Sequence, residues 1–434
     1  NNAIYLLNMC LNLISSGFML CAILIALLSV DPINAFAAFG GFGVLYISII
    51  RLTRKRLILA KVEATYGTDS SPAGTDAVLV RSLEVTPIEA DVVSRDLIRP
   101  YLGNSDQLLA NTRVSITFEV ELAGSGTAAT APRFGGLLKA CGMSETTTAS
   151  AVTGTATAGS AGTITLAAGA SATDDIYVGM VISITSGTGS GNVGVITDYV
   201  GSTKVATVKA STAAFTPGAS SAYSIAANVG YKPVSASFDS VTIHFNNDGV
   251  LHTITGARGS FAFNCAVGEI PTIEFTMVGI YNAPTDTAAP AVTYSNQATP
   301  LIFKAGSTSA FQILGYSGCL MSLTLDMANE TVYRELVGCD KSVLIVNRAP
   351  EGECMIEAPT IAQKDFFTIA NDDTTGVISL LHGTTLGNRV TMVAPKVDIA
   401  NPTYEDSDGI QMVNLPFVII PTTAGNDEIT LTFT

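Results

Sequence analysis

The stretch His244–Asn282 reads HFNNDGVLHTITGARGSFAFNCAVGEIPTIEFTMVGIYN. Val241–Phe245 and Val250–Ile254 are short strand patterns on either side of Asn247-Asp248-Gly249. That composition predicts a hairpin whose three-residue loop ends on a glycine, the residue that accepts the left-handed conformation. Ser260–Phe263 and Thr272–Met277 then alternate polar with apolar at period two, joined by a turn at Gly268 and Pro271. Nothing in the stretch resembles a reaction centre. It reads as a sheet built to be paired and extended.

Composition extends this reading to the rest of the chain. Its 434 residues suit two or three domains. Charged residues make up 13%, Trp is absent, and Gly, Ala, Thr and Ser dominate many segments, an all-β profile with frequent turns. The net charge of −14 excludes a nucleic-acid-binding surface of the usual basic kind. The cysteines are Cys10, Cys21, Cys141, Cys265, Cys319, Cys339 and Cys354, an odd number at wide spacing without C-x-x-C. Reduced, buried thiols are expected, in a protein folded in a reducing compartment.

Residues 1–53 differ in style from everything that follows. Ala3–Val30 and Ile33–Ile50 carry no charge, and Asp31-Pro32 separates them. Their lengths suit two membrane-spanning helices, and Arg51, Arg54, Lys55, Arg56 and Lys61 would hold the following end in the cytoplasm. Gly40, Gly41 and Gly43 would allow close helix approach. DPINAFAAFGGFGVLYISIIRLTRKRL resembles the transmembrane pair of an ABC exporter, although no G-x-x-x-x-G-K-[ST] motif occurs in the chain. A fusion junction near Thr53–Arg56 is the expectation, with the hairpin in the inner membrane if it is genuine.

Beyond the junction, residues 56–145 hold strand patterns at 57–63, Val78–Val85 and Val114–Leu122. Arg133–Gly142 has helical spacing of Phe134, Leu137, Leu138 and Cys141. Residues 146–230 turn to Thr, Ala, Gly and Ser with short strands at Gly162–Leu166, Val178–Ile184, Gly194–Tyr199 and Lys204–Val208. Regularly spaced strands carrying Ile176, Tyr177, Ile184, Tyr199 and Val205 favour a small inserted β-domain over a disordered Ala/Thr linker. Residues 231–434 add strands at Ser322–Met327, Thr331–Leu336, Ser342–Val346, Glu353–Ala358, Arg389–Val393, Ile410–Val418 and Glu428–Phe433. A short helix is expected at Ile361–Thr368. The segments IHFNNDGVLHTITGARGSFAF and LTLDMANETVYRELVGCDKSVLI share a strand–turn–strand–glycine–strand order, which suggests duplication.

Four runs carry a family resemblance: RLILAKVEATYGTDSSP (Arg56–Pro72), VRSLEVTPIEADVVSRDLIRPYLG (Val80–Gly103), GARGSFAFNCAVGEIPTIEFTMVGIYNAPTD (Gly256–Asp286) and PKVDIANPTYEDSDGIQMVNLPF (Pro395–Phe417). They resemble the tail tube, or major tail, proteins of long-tailed bacteriophages, over residues 56–145 and 231–434. The resemblance implies a mainly β fold, a tail-tube β-sandwich or barrel, single or duplicated, interrupted by the inserted domain and preceded by the apolar hairpin. It further implies a virion tail structural protein, made in the bacterial host cytoplasm, that self-assembles into rings of three or six subunits, stacked into a tube. Its partners would be itself and other tail proteins, with DNA passing through unbound and the inserted domain decorating the outside. The other reading is a membrane-anchored β-domain protein, with residues 1–53 as the anchor.

Candidate chemistry is sparse. His244 and His252 would face each other across the expected hairpin, but two ligands without a third make a weak metal site, and His382 has no evident partner. Glu405–Gly409 (EDSDG) lacks the spacing of a calcium loop and reads as a solvated turn. Gly315–Gly318 is not a G-x-S-x-G elbow, and no helix pattern follows Gly187–Gly191. No enzyme activity and no cofactor are expected. Arg81, Glu84, Arg95, Asp96, Arg99, Arg334 and Glu335 stand in or beside apolar strands. They are either solvated residues that contribute little each or ion pairs between ring subunits that set register.

Overall fold

The computed structural model describes residues 55–211 and 214–434. The expected transmembrane hairpin at 1–53 lies outside the described residues. Among the described residues no helix is long and apolar enough to cross a membrane. Residues Leu57–Thr434 form one compact unit, mainly β.

An 18-stranded sheet organises it. Its longest ladder begins at Leu83–Ser94 and passes through Gln107–Glu121, Thr272–Tyr281, Val250–Ala266, Leu320–Asp326, Glu351–Glu357 and Ile410–Ile419. It continues through Val390–Ile399, Thr430–Phe433 and Asn228–Pro233 to Met143–Thr148. Two long strands change partner midway. Val250–Ala266 pairs first with Val241–Asn247 and then with Leu320–Asp326. Val390–Ile399 pairs through its first half with Thr430–Phe433 and through its second with Ile410–Ile419. Such strands turn a corner, so one ladder supplies both layers of a sandwich.

The first corner falls at a bulge between Thr255 and Arg258, where Gly256 has φ +60°. A bulge there bends the strand and increases its twist. Polar side chains secure it. The Glu63 carboxylate, 8% exposed, accepts from Gly67 N (2.8 Å), Ser240 Oγ (2.6 Å), Thr242 Oγ1 (2.9 Å) and Gly256 N (2.7 Å). The Arg258 guanidinium lies 4.6 Å from the Tyr66 ring centroid and donates to the carbonyls of Phe238, Asp239 and Val343.

The core lies between the layers. Aromatic contacts run from Phe118 to Phe275 (5.7 Å between centroids), to Phe134, to Phe433 (5.6 Å) and to Tyr231 (5.7 Å). Early and late parts of the ladder are thereby clamped face to face, with Phe134 leading the short helix Gly135–Ala140 between them. Gly135 suits its position because a Cβ there would fall 2.2 Å from the Tyr231 hydroxyl oxygen.

Residues 152–225 form a separate seven-stranded sheet, ordered Val152–Thr155, Ala222–Ile225, Val181–Ser186, Val193–Val200, Val205–Ala210, Thr163–Thr165 and Ala158–Ser160. Tyr177, Ile184, Tyr199 and Tyr223 fill its core, whereas Ile176 is exposed. The chain leaves the large sheet at Thr148 and returns at Asn228, which are direct cross-strand partners. Val178, Val181 and Val195 pack against Ala310, Leu381 and Val393 of the large sheet, and Thr391 Oγ1 donates to Gly179 O.

Several local expectations change. The first hairpin has a two-residue loop, because Asn247 pairs with Val250; Asp248 (φ 50°) and Gly249 (φ 97°) are both left-handed, as a type I′ turn requires. Val78–Val85 is not one strand: Ala77–Val78 pairs with the strand Arg56–Val62, and Leu83–Ser94 begins a long hairpin. Pro87, which has no N–H to donate, falls in the register shift between Thr86 and Glu89. The late helix is Phe366–Asn371, displaced because Asp365 caps Thr368 N at 2.9 Å. The two repeat-like segments pair differently. In the first, the first two strands form a hairpin. In the second, Leu320–Asp326 joins the large sheet, and Asn329–Arg334 pairs with Ser342–Arg348.

Candidate functional site: an acidic sheet face and a two-faced hairpin

Period-two geometry decides what the large sheet shows to solvent. Phe118, Phe275, Phe261, Phe263 and Leu325 point into the core. The alternate residues of the same strands point outward, and the register aligns them. Glu119 stands opposite Glu274, Glu121 opposite Thr272, Thr117 opposite Thr276, and Asp326 opposite Glu351. Glu353 and Glu357 continue the row on Glu351–Glu357. Two of these cross-strand pairs set acid against acid, where sheets gain from opposite charge and lose from like charge, by about 0.2–1 kcal/mol per pair. Thr, Ser and Asn occupy most of the positions between, so the face is polar and negative. Glu353 is held by Asn414 Nδ2. At one end Arg113 adds positive charge but is ion-paired to Glu89.

The second feature is the hairpin Leu83–Ser94/Gln107–Glu121. Val92 pairs with Leu109, and Val93 with Leu108. Consecutive residues of a strand point to opposite faces, so each face of the hairpin carries one apolar pair, and all four residues are exposed. The loop beyond adds Leu97, Ile98, Tyr101 and Leu102, with Ile98 104% and Leu102 103% exposed. A contiguous exposed apolar patch marks a surface that binds something. Below the tip, the Glu89 carboxylate accepts from Ser115 Oγ and Arg113, and Asp91 accepts from Asn111 Nδ2 at 2.7 Å. The Ser115 hydrogen bond, followed by Arg113, holds the Glu89 pKa below its ordinary 4.5. Over Val85–Ser94, the strand's ladder partner among the described residues is Gln107–Glu121 alone.

The seven charged candidates fall in three places. Arg81 and Glu84 lie exposed at the base of the long hairpin, and Arg81 N donates to Glu119 O. Arg95 pairs with Asp106 at 3.3 Å, Asp96 accepts from Ser94 Oγ, and Arg99 lies 5.9 Å from the Tyr101 ring centroid, all within the hairpin loop. Arg334 and Glu335 end the other hairpin, where Glu335 pairs with Lys341 at 3.0 Å. Several of them are therefore satisfied within the chain. The apolar loop residues between Arg95 and Asp106 form an exposed surface that strand patterning does not single out. Their signal was two pairs of large apolar residues, Leu97-Ile98 and Tyr101-Leu102, on either side of Arg99-Pro100.

The histidines separate. The observed register places His244 opposite Thr253 and Phe245 opposite His252, so the two imidazoles lie on opposite faces. His244 bonds Asp69 at 3.1 Å, His252 stacks on Phe245, and His382 lies between Thr308 and the Leu301 carbonyl. Burial lowers the pKa of His252 and His382. Glu405–Gly409 closes a hairpin: Ser407 pairs with Ile410, and Asp408 and Gly409 have positive φ. Among the described residues no group of three His, Cys, Asp or Glu could hold a metal. Cys141, Cys265 and Cys354 are buried thiols, but Cys319 and Cys339 are exposed, contrary to the expectation of burial throughout.

Comparison with known proteins follows the same line. A family model described as phage tail tube protein matches residues 53–434. A search of curated proteins finds no match.

Proposed function

The chain belongs to the phage tail tube protein family and is a structural subunit of the phage tail; from that premise we propose how it builds a tube. Subunits join side by side in a ring, rings stack head to tail, and the acidic sheet face lines the channel through which DNA passes. The observation that carries this reading is the acid-on-acid register of Glu119 with Glu274 and of Asp326 with Glu351. A lone subunit gains nothing from that arrangement. A wall of carboxylates and short hydroxyl side chains gives phosphate no counter-ion to exchange for, so DNA slides along it without sticking.

The long hairpin supplies the contact between subunits. With apolar residues on both faces it suits insertion between two neighbouring copies, and head-to-tail contacts of this heterologous kind propagate into an open-ended tube. Arg81 and Glu84 at its base, with Arg334 on the second hairpin, are the charges best placed to pair across a boundary. Arg95, Asp96, Arg99 and Glu335 act mainly within the chain. The seven-stranded sheet at 152–225 faces outward as a decoration, since it grows from the end of a hairpin and its own core is closed. Three or six subunits close the ring.

Negative-stain electron microscopy of the purified chain tests this. Rings or tubes with a central channel are expected. Dispersed monomers at high protein concentration and physiological salt would count against it.

A further inference from the structure

We propose that the cleft between the seven-stranded sheet and the strand Thr308–Ile313 binds an acidic saccharide unit. The cleft has a volume of about 520 Å³, within the range of roughly 300–1,000 Å³ typical of small-molecule sites, which favour seams between modules. Lys209 comes from one wall and Lys304 from the other. Neither ammonium forms an ion pair among the described residues. Lys209 is half-buried and donates to Ser317 Oγ, a neutral partner, and burial lowers its pKa.

A partly desolvated cation without a carboxylate is an incomplete electrostatic arrangement, and an incoming anion completes it. The remaining lining points to a ligand with hydroxyl groups. Ser211 and Ser309 bond each other at 2.8 Å across the seam, and Ser317 adds a third hydroxyl. Each can exchange a neighbour for a ligand hydroxyl. The walls are fixed before any ligand arrives, because Val178, Val181 and Val195 pack on Ala310, Leu381 and Val393 beside them. Preorganisation of this kind reduces the entropy lost on binding. The cleft lies within one chain, so the inference does not depend on how the tube assembles.

Titration calorimetry and saturation-transfer NMR on the full chain at low salt test it, with glucuronate, glucose and inorganic phosphate as probes. Glucuronate should bind at least about tenfold more tightly than glucose or phosphate. Lys209→Ala and Lys304→Ala should each weaken glucuronate by about tenfold, the scale of one lost charge-assisted hydrogen bond. Lys304 is exposed, so its variant carries the test even if Lys209→Ala lowers stability. Glucuronate binding no better than glucose would overturn the proposal. Equal binding of phosphate and glucuronate would reduce the cleft to an anion subsite and overturn it as a saccharide site. Insensitivity to a folded Lys304→Ala variant would overturn it too.

Discussion

Glu119 and Glu274 are direct cross-strand partners, two carboxylates side by side on the solvent face of the large sheet, with Thr117 and Thr276 as the next pair along. Replacing both by glutamine removes a like-charge pair and should raise the stability of the subunit by about 0.2–1 kcal/mol. The same change should make assembled tubes retain DNA. Urea denaturation and DNA co-sedimentation at low salt check the two halves. A more stable subunit whose tubes still exclude DNA would remove these two positions from the channel wall.

The exposed loop makes a complementary prediction. Ile98→Asp with Leu102→Asp should abolish assembly and leave the subunit's stability within about 0.5 kcal/mol of the original, because neither side chain has a buried contact to lose. Sedimentation velocity, paired with thermal unfolding, distinguishes loss of assembly from loss of fold.

Glu63 concentrates polar bonding at the corner of the sandwich. Glu63→Ala strands the donors of Gly67, Ser240, Thr242 and Gly256 and leaves the Arg258 charge without its neighbour. A cost of about 3 kcal/mol is expected, as for other broken buried charge networks. Equilibrium denaturation measures it.

Glu89 predicts a pH dependence. Its folded pKa lies below the ordinary value, so ionisation favours the native hairpin. That contribution is present above the unfolded pKa and disappears as pH falls through the folded one. Titration of its carboxyl by 13C NMR should give a midpoint below 4.5. Ser115→Ala should move that midpoint upward more than Arg113→Gln does, since the Ser115 hydrogen bond is the larger cause.

Gly179 seats the seven-stranded sheet on the large one. It has φ +84°, and a Cβ there would lie 2.8 Å from Thr430 Cγ2. Gly179→Val should therefore loosen the contact through strain and collision together. Limited proteolysis should then cut near residues 148 and 228 sooner than in the original chain.

Much of this architecture is legible in the residues themselves. Period-two alternation in Thr272–Met277 and Val114–Leu122 identifies their core and solvent faces, and both faces appear as expected. Asp-Gly pairs mark the tight turns at 248–249 and 408–409. Loop length was harder to read. A three-residue loop at 247–249 would make His244 and His252 neighbours, and the observed two-residue loop puts them on opposite faces, because one residue of register inverts a strand. The acidic face was hidden for a related reason. Glu119, Glu274, Asp326 and Glu351 are far apart in the chain, and only strand pairing brings them together.

The sequence by itself determined that the chain is mainly β, which residues of each strand are apolar, and which family it resembles, because these rest on local alternation and on runs of matching residues. Tertiary structure decided the partners: that Val250–Ala266 and Val390–Ile399 each serve two layers, that acid meets acid across the sheet, and that Lys209 and Lys304 share a cleft. Strand partners are chosen by hydrogen bonds between backbones, which carry no side-chain label, and by core packing summed over the whole sheet. No single segment contains that information.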